Sequence, residues 1–308
     1  MIVLVSKRFR VLIIAACIGM LIVLLAGALV TNTDSGRGCG DDWPLCHGKF
    51  IPAYTLESML EYSHRVVSAI VGFLVLAVFI ITLTKHRREG EPVFYASSAL
   101  FFTILQALLG AAAVKWPQSP PVMALHFGFS LLAFASTMLL VIWAYRMKRG
   151  SAVAYHRAEL PRSLYKLTWA IFGYIYIVVY IGAYIRHTKS AGGCSGWPLC
   201  NGELIPEMSG AAGLVFVHRV AALIIFLLIA VLAYRIYREP AAHAGLKRTA
   251  AWTFGLVLTQ VLSGALVTAT LGYDQVYIFT SLLHNVIISI LFALLAELAI
   301  RTWKLRRR

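Results

Sequence analysis

Charge is scarce in this chain. Asp, Glu, Lys and Arg make up only 13% of the 308 residues, against about 25% in ordinary soluble domains. Acidic residues are scarcer still, 13 against 28 Lys and Arg. There is no polar stretch long enough to form a sizeable soluble domain. Hydrophobic residues account for 60% of the chain. That balance excludes a disordered chain and a soluble globular enzyme. It leaves an all-α integral membrane protein, because a bilayer-spanning helix needs roughly 20 apolar residues.

Eight apolar runs stand out, at 11–30, 62–84, 93–114, 121–145, 164–185, 213–234, 250–270 and 277–300. The net charge of +15 would suit a nucleic-acid binder. The placement of the charges argues against one. Lys and Arg cluster between apolar runs and form no stripe interleaved with exposed aromatics. Of the 28 basic residues, 21 fall on one side of the predicted membrane and five on the other, with Arg65 and Arg219 just inside helices. The positive-inside rule then places both termini in the cytoplasm, with the bilayer as partner and no nucleic acid. The first run resembles a signal peptide, with a basic start and Ala26-Gly27-Ala28, but it belongs to an internal repeat.

That repeat spans the chain. Gly27-Ala28 returns at Gly182-Ala183, Trp43-Pro44-Leu45-Cys46 at Trp197-Pro198-Leu199-Cys200, Ile51-Pro52 at Ile205-Pro206, and His64-Arg65 at His218-Arg219. Gln106 and Gly110 return at Gln260 and Gly264, and His126 at His284 after a short insertion. The expected architecture is eight transmembrane helices in two four-helix bundles, 1–150 and 151–308, repeated in parallel about an axis along the membrane normal.

Five of the nine histidines, His47, His86, His156, His187 and His243, fall in loops and read as solvated polar residues. The other four, His64, His126, His218 and His284, each sit near the start of an even-numbered run. Ionisable groups at membrane depth are costly and usually functional. A structural zinc site would want four ligands, usually with cysteine. Two imidazoles facing each other from two helices in an apolar bundle instead suit the axial positions of a haem. Each half would then hold one haem, between His64 and His126 and between His218 and His284. Arg65 and Arg219 follow two of the ligands. They could fork onto haem propionates or snorkel to the interface.

The cysteines form two pairs. Cys39 and Cys46 share one loop, and Cys194 and Cys200 share its repeat. On the oxidising side of a bacterial-type inner membrane each pair would form a short-loop disulfide, as a staple or as a redox couple. The spacing is not the two-residue spacing of thioredoxin-type motifs and does not choose between them. Cys17 reads as a small buried apolar residue within the first helix. Glu61 breaks the symmetry: it lies nearly one helical turn before His64, and Val215 stands in its place in the second half. It is either a helix-start acid favoured by the macrodipole or part of the chemistry. Its absence from the second half marks site one as reactive and site two as a cofactor site.

Taken together, Gly36-Arg37-Gly38-Cys39-Gly40, Trp43-Pro44-Leu45-Cys46-His47-Gly48, Glu61-Tyr62-Ser63-His64-Arg65, Ala124-Leu125-His126-Phe127, Gly193-Cys194, Trp197-Pro198-Leu199-Cys200-Asn201-Gly202 and Val217-His218-Arg219 resemble the haem A synthase family of the bacterial type with paired extracytoplasmic cysteines. The resemblance covers essentially the whole chain. It implies a multi-pass enzyme of the cell membrane that oxidises the ring-8 methyl of haem O to a formyl group, by successive hydroxylations and loss of water from a geminal diol. It implies haem O as substrate at His64 and His126, and a haem b that passes electrons at His218 and His284. It gives Glu61 a role at the reacting centre, and Cys39 and Cys46 a role in reduction or substrate transfer. The partners it implies are a haem O synthase (a farnesyltransferase) upstream, an electron donor, and a terminal oxidase that receives haem A. Two other classes compete with it: a dihaem electron-transfer protein, against which Glu61 argues, and a membrane thiol–disulfide oxidoreductase, in which the four membrane histidines have no role.

Overall fold

The structure, a computed structural model, describes residues 5–50, 54–116, 119–148 and 159–307. Ile51-Pro52, His156 and the expected boundary between residues 150 and 151 lie outside the described residues. Eight helices follow one another: α1 (Lys7–Asn32), α2 (Leu56–Lys85), α3 (Gly90–Lys115), α4 (Pro120–Lys148), α5 (Arg162–His187), α6 (Gly210–Arg238), α7 (Ala244–Ala269) and α8 (Asp274–Lys304). A short 3-10 turn, Ala191–Gly193, lies between α5 and α6. Among the described residues there is no strand, only isolated bridges. All eight helices are long and apolar enough to cross a membrane. Large apolar side chains such as Phe73, Phe101 and Leu108 stand exposed on α2 and α3, as lipid-facing surface requires. The protein is a multi-pass, all-α membrane protein.

Each helix begins earlier than hydropathy alone suggests, and all but α7 end later. α2 starts at Leu56, six residues before the apolar run, because Thr55 caps it by accepting the Ser58 N–H (3.3 Å). α1 is capped in the same way by Ser6, which accepts from Phe9 N. α7 starts at Ala244, where the His243 ring accepts the Leu246 N–H (3.1 Å). Hydropathy registers the lipid-facing core, whereas caps register where the backbone hydrogen bonds begin.

The chain divides into two compact units, Met1–Ser151 and Ala152–Arg308. In the first, α1 packs on α2 and α4, and α3 packs on α2 and α4, closing a ring of four antiparallel helices. Its core holds Ile13, Val75, Tyr95, Leu131 and Leu140. In the second unit α5, α6, α7 and α8 make the same ring, with Ile175, Ile229, Leu246, Leu291 and Phe292 inside. Each unit therefore has a disulfide loop joining its first two helices at one end.

Candidate functional site

Four histidines and four glycines define the pattern. Each even helix carries one of the membrane histidines, and each ring lies against a glycine of the preceding helix. A Cβ added to Gly27 would lie 3.2 Å from His64 Cε1 and 3.4 Å from its Nε2. At Gly182 the same atom would lie 2.9 Å from His218 Cε1. Gly110 stands 3.8 Å from His126 Cε1 by that measure, and Gly264 stands 3.4 Å from His284 Cε1. Each ring thus lies beside a glycine in both halves, closely enough at Gly27 and Gly182 that a Cβ would crowd it, and at ordinary contact distance at Gly110 and Gly264. The rings lie roughly two to three helical turns inside their helices, deeper than the apolar runs suggest.

The arrangement fits a haem in each unit. His64 Nδ1 and His218 Nδ1 are buried without a hydrogen-bond partner, a state that costs about 1–3 kcal/mol per group. Imidazoles in an apolar bundle, two per unit, could hold the iron of a haem. Among the described residues no group of three or more His, Cys, Asp or Glu side chains could hold a bare metal ion, so these histidines do not build a zinc-type cluster.

The second unit adds a network around His284. Its Nε2 accepts from the Gln260 amide (2.8 Å), and its Nδ1 pairs with Ser263 Oγ (2.8 Å). Ser263 in turn donates to the Gln260 carbonyl (2.9 Å). In the first unit, Gln106 donates instead to the His126 backbone carbonyl (2.7 Å), and Ser130 donates to that carbonyl and to Gln106 Oε1 (3.0 Å each).

Both disulfides close, Cys39–Cys46 and Cys194–Cys200. Each loop is seated by a glycine. A Cβ at Gly38 would collide with the backbone of Glu57, and one at Gly193 with the backbone of Ala211. Left-handed backbone at the next loop position is met by His47 (φ 50°) and Asn201 (φ 56°). Both side chains then tie back to the same place: His47 Nε2 lies 3.1 Å from the Gly38 carbonyl, and Asn201 donates to the Gly193 carbonyl at 3.1 Å.

Beneath the loops the units diverge. Glu61 is buried, accepts the Cys39 N–H on Oε2 (2.8 Å) and forms an ion pair with Arg65 through Oε1. Arg65 also donates to the carbonyls of Asp42 and Leu45 (2.7 Å each). Val215, the counterpart of Glu61, packs against Cys194 and Cys200 in an apolar cluster with Ile185. Arg219 holds its loop through the carbonyls of Leu199 (2.9 Å) and Cys194 (3.4 Å), with Thr268 Oγ1 at 3.4 Å. The arginines thus clasp the disulfide loops, a partner set that sequence reasoning did not identify. Glu61 is not at the helix start, since Glu57 occupies the first turn of α2. The macrodipole alone therefore does not account for its position.

Among the loop histidines, His47 is exposed as expected. His86 is not solvated. It is buried, stacked on Phe9, edge-on to Trp143 and paired with Glu89 (2.7 Å). Its position just past α2 gave no sequence signal for that, because the partners come from α1 and α4. His187 ends α5 and His243 caps α7, both half-buried. Cys17 is buried, with Sγ 4.0 Å from Met138 Sδ. Ser263 is the site residue that sequence reasoning missed, whereas Gly38 and Gly193 stood in the recognised motifs without a role read for them. The offset of the repeat was the available signal for Ser263, since Leu109 stands at its place in the first half.

A family model described as "Cytochrome oxidase assembly protein" matches residues 10–59 and 54–296. A heme A synthase of Symbiobacterium thermophilum is 40% identical over 301 residues, covering 96% of this chain and 96% of the relative. One of Alkalihalophilus pseudofirmus is 39% identical over 299 residues, covering 94% and 96%. One of Halalkalibacterium halodurans is 40% identical over 280 residues, covering 90% and 91%.

Proposed function

Because the chain belongs to the cytochrome oxidase assembly protein family and shares about 40% of its residues with heme A synthases over nearly its whole length, we propose that it is an oxidoreductase converting haem O to haem A in the membrane. The observation that carries the reading is the four-fold seat: each membrane histidine is matched to a glycine on the preceding helix, two pairs per chain. A structural hydrogen bond between helices does not need four such histidine–glycine pairs.

The two units divide the work. His64 and His126 hold the substrate haem O, and His218 and His284 hold a resident haem b. When bound, haem b supplies one-electron transfer. The protein's own contribution at the first site is charge and orientation. Glu61 is fixed by Arg65 and by the Cys39 N–H, one turn from His64. Oxidising a methyl group withdraws electrons and protons beside the ring. A held carboxylate stabilises the positive charge that develops, and it can take a proton from water. The apolar walls keep bulk water from the site, which strengthens that effect. Arg65 holds the carboxylate in place, and the Cys39–Cys46 loop it clasps covers the same end of the unit.

The basic-residue asymmetry orients the protein in the cell membrane with both termini cytoplasmic and the disulfide loops outside. Haem O then comes from its membrane farnesyltransferase, electrons from a separate donor, and haem A passes to a terminal oxidase. The test is chromatography of haems extracted from the purified protein, made in cells that also make haem O. Haem b together with haems O and A is the expected result. Haem b alone would turn the reading into electron transfer, and no haem at all would turn it into thiol exchange.

A further inference from the structure

The two units hold their α4-type and α8-type histidines differently, and the difference is chemical. In the second unit every proton around His284 has a place. Ser263 gives its hydroxyl hydrogen to the Gln260 carbonyl (2.9 Å). With that hydrogen on the Gln260 carbonyl and the Gln260 amide facing Nε2, the hydrogen bond between His284 Nδ1 and Ser263 Oγ (2.8 Å) is donated by the ring. That fixes the tautomer with hydrogen on Nδ1 and a lone pair on Nε2. The Gln260 amide currently points an N–H at that lone pair (2.8 Å). It does so at the expense of its own Oε1, which is buried without a partner. Gln106 shows the satisfied alternative, with its N–H on the backbone carbonyl of His126 and its Oε1 on Ser130. Gln260 therefore covers Nε2 from a position with an unsatisfied oxygen, while Ser263 holds Nδ1 with none. Ser263 itself is buried. Leu109 takes its place in the first unit.

From this arrangement we infer that Ser263 is the positioning residue that makes the second haem site permanent: it holds His284 in the Nδ1–H tautomer, which leaves the Nε2 lone pair as the one that would ligate a haem iron. The inference rests on the reading of His218 and His284 as haem b ligands. A hydrogen bond from the far nitrogen of a metal-bound imidazole fixes ring orientation and raises ligand basicity. Loss of such a partner typically lowers metal affinity about 10–100-fold. A resident cofactor needs that hold. A site that must accept haem O and release haem A does not, and Leu109 at the equivalent position supplies no hydroxyl.

The test compares Ser263→Ala and Ser263→Thr with the parent, all purified with haem bound. Three readouts are taken: the rate of haem b loss to excess apomyoglobin, the reduction midpoint, and the low-spin ferric spectrum. Ser263→Ala is expected to release haem b about 10-fold faster, with a more positive midpoint and an altered low-spin signal, because the weaker imidazole donor stabilises the ferric iron less. Ser263→Thr keeps the hydroxyl and is expected to behave as the parent, which separates the hydrogen bond from any packing change. A Ser263→Ala protein that holds haem b with the parent's release rate, midpoint and spectrum would overturn the assignment of Ser263 alone. A parent protein without haem b would overturn the ligand reading, and this inference with it.

Discussion

The two halves share a scaffold and differ beneath the disulfide loop and beside the last histidine. Both place a histidine against a glycine on each helix pair, close a disulfide loop over one end, and clasp that loop with an arginine. Beneath the loop, one half buries a carboxylate and the other an aliphatic side chain, Glu61 against Val215. Beside the last histidine, one half has an apolar side chain and the other a buried hydroxyl, Leu109 against Ser263. On the proposed reading, duplication would supply two haem seats, and these substitutions would assign one to a substrate that must react and leave and the other to a cofactor that must stay.

The largest effects should come from the histidines. Replacing His64 or His126 by Met is expected to abolish haem A while leaving most of the haem b spectrum. Replacing His218 or His284 by Met is expected to remove or alter that low-spin spectrum. Optical and paramagnetic resonance spectra of the purified variants check this. Haem b lost from His64→Met and retained in His218→Met would reverse the assignment of the halves.

The next effect tests the buried carboxylate. Glu61→Gln keeps an acceptor for the Cys39 N–H and removes the negative charge that faces Arg65. The expected result is a protein that folds and carries haem b but makes haem A about 100-fold more slowly, with the hydroxylated intermediate accumulating among the extracted haems. Parent levels of haem A would reduce Glu61 to the anchor of its loop. Glu61→Val, the residue of the other half, separates the two roles further. It should lose activity and also loosen the loop, which increased alkylation of Cys39 and Cys46 after mild reduction would report.

The disulfides should show a smaller and more even effect. Each closes a short loop, and the entropy of such a loop predicts about 2 kcal/mol for either bridge. Cys39→Ala and Cys194→Ala are therefore expected to lower thermal stability in detergent to a similar degree. If the first bridge also serves turnover, Cys39→Ala loses activity beyond its loss of stability, and Cys194→Ala does not. Matched small losses of both kinds would make the two bridges equivalent staples.

What the sequence showed was what repeats. The eight spans, the four membrane histidines and the two cysteine pairs were all visible, because hydropathy and a fixed offset report them directly. What it hid depends on contacts between helices. Arg65 and Arg219 read as propionate or interface groups until the structure placed loop carbonyls against them. His86 read as solvated because Phe9 and Trp143 are distant in sequence. A helix-start acid stayed open as one reading of Glu61 beside a part in the chemistry, because hydropathy began α2 at residue 62, while Thr55 starts it at Leu56.

The smallest effect lies away from both haem seats, at the end of the second unit opposite the disulfide, where the halves differ again. The repeat offset pairs His243 with Glu89, and each residue caps the third helix of its unit. His243 accepts the Leu246 N–H through Nδ1 (3.1 Å) and lies near Arg301, which is itself paired with Glu297. Burial, and after it the Arg301 guanidinium, hold the His243 ring below the usual imidazole range. The sign follows from linkage. The unfolded chain takes up this proton near pH 6.5, before the folded protein does, so acid favours the unfolded state. The stabilising contribution is complete above about pH 6.5 and is lost as pH falls through the folded value. A protonated ring would also lose the lone pair that caps α7. Asn is a good cap without a titrating proton, so His243→Asn should keep the helix start and remove the acid sensitivity. Thermal unfolding in detergent at pH 7.5 and 5.5 should show the parent losing on the order of a degree or two more than the variant, a small difference because the ring is only half-buried. Equal losses in both proteins would place the acid-sensitive group elsewhere and leave His243 as a cap alone.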